Sequence, residues 1–142
     1  MNMPRAVLAA LVAVWCFDMK ADDAVVFRLA TSIGGKPFEF VLSASRLAKT
    51  PSWPDNQENP PLSPRKALAA ARKYLARLVA DAAKWQIEQL TLRSVGTPDK
   101  WIYVIEFSPP LPPGGLDGKS VTSKLVVLMD GTALEAQPLL RQ

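Results

Sequence analysis

Residues 63–85 constrain this fold more than any other stretch. Ser63 followed by Pro64 is a helix start with a mechanism. The serine hydroxyl accepts from a first-turn N–H, and proline at the first helical position gives up only an N–H that has no partner there. The spacing that follows predicts a helix over residues 64–84. Leu68, Ala71, Leu75, Leu78, Val79, Ala82 and Trp85 recur at 3.6-residue intervals on one side. Arg65, Lys66, Arg72, Lys73, Arg77 and Lys84 fall on the other, with Asp81 the one acid in the stretch. Such a helix packs its apolar face on a sheet and turns a basic face to water. That basic face, together with Trp53, is the candidate interaction surface, facing an unknown protein or an anionic ligand.

The flanks read as strands. Val25, Phe27, Leu29, Thr31 and Ile33 alternate, Gly34 and Gly35 follow, and Phe38, Phe40 and Leu42 alternate again. Period-two runs around a glycine pair predict a β-hairpin. Beyond the helix, residues 88–95 alternate through Leu90 and Leu92. Residues 100–107 set Trp101, Tyr103, Ile105 and Phe107 on one face, and a third run covers residues 121–129. Asp130-Gly131 turns the chain into residues 132–135. One amphipathic helix covers one sheet face, so the expected fold is α+β: an antiparallel β-sheet of four to six strands packed against one long α-helix. Trp85 and the Trp101 row are expected to form one aromatic core. Residues 49–63 and 108–120 are Pro-rich loops, and Trp53 in the first is expected to pack down onto the domain as an anchor.

At the N-terminus, one positive charge precedes an apolar run over residues 6–17, and polar residues follow. This is the layout of a signal peptide over residues 1–21, leaving a single α+β domain over 22–142 and a secreted or periplasmic product. The run is shorter than the about 20 residues a membrane span needs. Residue 15 is Trp, so Cys16 lacks the small preceding residue of a lipobox. The whole chain carries 17 basic and 13 acidic residues. Without Arg5, Lys20 and Asp18 these become 15 and 12, too small an excess for nucleic-acid binding.

With no histidine and its one cysteine in the leader, the mature chain lacks the commonest general base and thiolate chemistry. Ser63-Pro64-Arg65-Lys66 matches S-x-x-K, but the N-cap role accounts for the serine. Glu88 and Glu106 lie on neighbouring strands and read as solvent-face residues. Glycines 114, 115 and 118 lack the lysine of a phosphate-binding loop. No catalytic residue, cofactor or metal site is expected. The expected function is a non-enzymatic exported binding or accessory module of unknown partner. The alternatives are a peptidase inhibitor or pro-segment-like regulator that presents a Pro-rich loop, and an enzyme without His or Cys chemistry.

Over residues 63–136 the chain resembles a PepSY-type (cystatin-like α+β) exported domain. The matching pieces are Ser63 with Ala67-Leu68-Ala69-Ala70-Ala71, then Trp101-Ile102-Tyr103-Val104, then Val126-Val127-Leu128-Met129-Asp130-Gly131. The acidic turn is shorter here than in that family, and a hairpin precedes the helix. The resemblance implies a non-catalytic module similar to ones that bind or restrain peptidases. N-terminal sequencing of the exported product should give a start near Asp22; an intact Met1 in a cytoplasmic fraction contradicts the leader.

Overall fold

The computed structural model describes residues 23–111 and 121–140; the expected leader, Cys16 and glycines 114, 115 and 118 lie outside them. The chain is α+β. The N-terminal hairpin forms as expected, from β1 (Val25–Ile33) and β2 (Lys36–Ser43), with Gly34 and Gly35 as its two-residue turn. Both glycines have positive φ, the geometry of a hairpin turn that matches strand twist and that side chains resist. A short helix, α1 (Ala44–Ala48), follows directly. It was not apparent from hydrophobic spacing; its one signal is Ser43, whose hydroxyl accepts from the Arg46 N–H as an N-cap.

The main helix, α2 (Pro64–Leu78), begins where Ser63 predicts, with the Ser63 hydroxyl accepting from the Lys66 N–H. It ends six residues before the expected residue 84. Val79 is extended, and a separate 3-10 turn occupies Ala82–Lys84. The cause is tertiary. Val79 leaves the helix to meet the tip of the β1–β2 hairpin, where a Cβ on Gly34 would lie 3.4 Å from its methyl. The 3-10 turn then carries Trp85 into the core, and its indole N–H donates to Asp81 at 3.0 Å. Trp85 is therefore buried, but not as a continuation of the helical stripe.

The remaining strands are β3 (Gln86–Ser94), β4 (Trp101–Ser108), β5 (Ser123–Leu128) and the two-residue β6 (Gln137–Pro138). All pairings are antiparallel, but the strands form two sheets of three, β1-β2-β6 and β3-β4-β5, instead of one continuous sheet. The reason lies in β4, which is buried on both faces: Tyr103, Ile105 and Phe107 on one, Ile102 and Val104 on the other. The first face meets α2, since the Arg72 guanidinium lies 5.4 Å over the Phe107 ring and the Tyr103 hydroxyl donates to the Leu62 carbonyl just before the helix. The second face is covered by the hairpin. Phe27 of β1 lies beneath Arg93, which is paired with Ile102 across the β3–β4 ladder. Six strands in one flat layer would have left that second face in water.

Two devices join the sheets. The Ser123 hydroxyl donates to the Ser32 carbonyl, and the Lys124 N–H to the Thr31 hydroxyl. Beyond the Asp130-Gly131 turn, Ala133 bridges Val127 of β5, and β6 pairs with Phe38 and Glu39 of β2. The last segment thus holds one sheet to the other. On β3 the register slips between Ile87 and Gln89, so Glu88 is an extra residue in a bulge. The slip brings Ile87, paired with Phe107, onto the same face as Leu90 and Leu92 despite the odd spacing.

Leu75 is fully buried beneath α2, whereas Lys73 is exposed. Leu75→Ala should lower stability in a urea melt by about 2–5 kcal/mol, and Lys73→Ala by no more than about 0.5 kcal/mol.

Candidate functional site

The residues expected to form a basic helix face do not share one fate. Arg65, Lys66, Lys73 and Arg77 are exposed on α2. Lys84 is exposed too, but on the 3-10 turn beyond the helix. Arg72 is a correction: it is half-buried and faces the sheet. Its guanidinium stacks over Phe107 and donates to the Trp85 carbonyl at 3.2 Å. A planar cation can join an aromatic face and a free carbonyl at the edge of a core, and this one ties the helix to the chain beyond it. Tyr74, which lies outside the expected apolar stripe, is buried, whereas Leu68, Leu78, Val79 and Ala82 of that stripe are half-buried. The Tyr74 hydroxyl accepts from the Ala136 N–H at 2.7 Å.

The exposed part of the face carries little counter-charge. α2 has no acid in its first turn, where Arg65 and Lys66 stand at the positive end of the helix dipole. Lys73 and Arg77 are four residues apart, a spacing at which like charges repel. Arg77 reaches Glu135 at 3.7 Å, a loose pair with both side chains mostly in water. Arg46 likewise meets Asp130 at 3.5 Å across the C-terminal segment. Two hollows flank that segment: one of about 410 Å³ beside Val41 and Arg46, and one of about 260 Å³ beside Lys73 and Arg77.

Trp53 packs down as expected, against Trp101, with ring centroids 5.3 Å apart and planes at 61°. The loop around it is held by backbone bonds. The Trp53 N–H donates to the Asp99 carbonyl, its indole N–H to the Gln57 carbonyl, and the Gln57 N–H to the Pro54 carbonyl. The turn that receives it is fixed by the Thr97 hydroxyl on the Asp99 carboxylate, the chief reason this carboxyl ionises below its ordinary range. The expected aromatic row is therefore split. Tyr103, Ile105 and Phe107 are fully buried, while Trp101 is half-buried at the surface with Trp53.

The two strand carboxylates are engaged separately. Glu88 accepts from the Ser108 hydroxyl at 2.5 Å, and Glu106 pairs with Lys124 at 3.3 Å on the facing strand. Among the described residues no three acidic, His or Cys side chains gather as metal ligands, and no helix is long and apolar enough to cross a membrane. The chain matches no known family model, no curated protein and no solved structure.

Arg72→Ala should cost about 1–2 kcal/mol in a urea melt, well above the Lys73→Ala control, because it removes both a ring contact and a carbonyl partner. Arg72→Lys should recover less than half of that loss, since an ammonium does not stack in the same plane. Equal values for Arg72→Ala and Lys73→Ala would contradict the anchoring role.

Proposed function

We propose that the protein is a non-enzymatic, exported binding or accessory module that meets an anionic partner through the exposed face of α2. One observation carries this reading. Arg65, Lys66 and Lys73 stand in water on a helix with no acid along it, the first two at its positive end and Lys73 four residues from the like charge of Arg77. Placements that cost stability without a local gain are the ones to assign to a partner. The rigid scaffold beneath the face adds to this, because its cations need little ordering on binding.

Export rests on the leader pattern of residues 1–21. The resemblance of residues 63–136 to PepSY-type domains, carried by Ser63 with 67–71, by 101–104 and by 126–131, supports an accessory role. In that family reading the partner is a peptidase or another exported protein with an acidic surface.

The triple variant Arg65→Glu/Lys66→Glu/Lys73→Glu tests the face. These side chains are exposed, so the melting temperature should not fall. The wild type should be retained on immobilised poly-glutamate and elute with rising salt, as screened surface charges do. The variant should pass through, and any protein captured from the native extracellular fraction by the wild type should be lost. Equal retention of both proteins would exclude this face as the binding surface.

A further inference from the structure

A second site of different chemistry lies where Trp53 meets Trp101. Trp53, Pro54, Asp55, Gln57 and Trp101 line an open hollow of about 180 Å³. That is below the about 300–1,000 Å³ of pockets that hold whole drug-sized molecules, so the hollow suits a head group. The two indoles stand at 61° to one another, forming a corner of two walls instead of a flat platform. The Trp53 indole N–H is already committed to the Gln57 carbonyl, which leaves the ring face as its free chemistry. Asp55 is exposed on the rim, and among the described residues it has no ion-pair partner.

Elsewhere the fold places its own cations over its aromatic rings. Arg72 covers Phe107, Arg77 covers Tyr74 and Arg93 covers Phe27. Among the described residues no such cation covers Trp53 or Trp101, although tryptophan is the strongest ring for this contact. The hollow therefore joins the surface of an edge-to-face indole pair, an apolar proline wall and an exposed carboxylate. A primary ammonium would give up strong hydration in such a corner for one exposed carboxylate. A trimethylated ammonium is weakly hydrated, and its methyl groups fit apolar walls.

We propose that the Trp53–Trp101 corner binds a quaternary ammonium group, with the indole faces and Pro54 holding its methyls and Asp55 balancing its charge. The site is independent of the α2 face. Its loop is ordered by the bonds of Trp53 to Asp99 and Gln57, so little ordering remains to be done on binding.

The full chain is titrated with tetramethylammonium chloride at constant ionic strength, and the indole N–H resonances are followed. Those of Trp53 and Trp101 should shift and saturate while that of the buried Trp85 stays fixed. Asp55→Asn should weaken binding about five- to tenfold, and Trp53→Phe, which keeps a ring in the corner, about threefold. The neutral isostere 3,3-dimethylbutanol should bind at least about tenfold more weakly than choline. Choline binding without retention on phosphatidylcholine vesicles would assign a free ligand, and retention would assign a lipid head group; either supports the site. No saturable shift with tetramethylammonium would overturn the proposal. So would equal affinity for the neutral isostere, or a response to an oligosaccharide alone.

Discussion

The strand Trp101–Ser108 needs two covers, and the rest of the fold follows from that requirement. Its residues are apolar on both faces, and sheet pleating sends them alternately to opposite sides. Helix α2 satisfies one side and the N-terminal hairpin the other. This explains why the hairpin lies across the second sheet instead of extending it. It also bears on where α2 stops: past Leu78, Val79 meets the hairpin tip at Gly34 and Trp85 enters the core. The polar groups at these seams are satisfied in place, as with Ser123 on Ser32 and Tyr103 on Leu62.

Much of this was legible in the residues. Gly34-Gly35 between alternating runs identified the hairpin, and Ser63-Pro64 fixed the helix start. Local chemistry is decisive at such points. What was not legible depends on distant partners. No glycine or proline marks the helix end, and Ala80, Ala82 and Ala83 favour continuing it, so contact with Gly34 had to override propensity. The split into two sheets was hidden for a related reason. Val104 and Ile102 could be read as one more alternating face until the hairpin is seen against them.

The candidate surfaces divide in the same way. Exposed cations on a helix can be counted from spacing, and Arg65, Lys66, Lys73 and Arg77 are where spacing puts them. Arg72 sits at the boundary of the stripe, where an angle of a few tens of degrees decides between water and an aromatic face. The carbonyl of Trp85 and the ring of Phe107, both distant in sequence, decide it. Trp53 was expected to anchor its loop and does, but its pairing with Trp101 joins two residues 48 positions apart that no periodicity connects.

The segment that bridges the sheets carries a consequence for timing. β2 is built early in the chain, yet its outer neighbour is Gln137–Pro138, about a hundred residues later. Closing so long a loop is slow compared with forming a hairpin or a helix. During vectorial synthesis the hairpin and α2 can form as they emerge. The pairing of β2 with Gln137–Pro138 can therefore form only after the hairpin and α2 have emerged, so the fold's outermost seam is the late one to close.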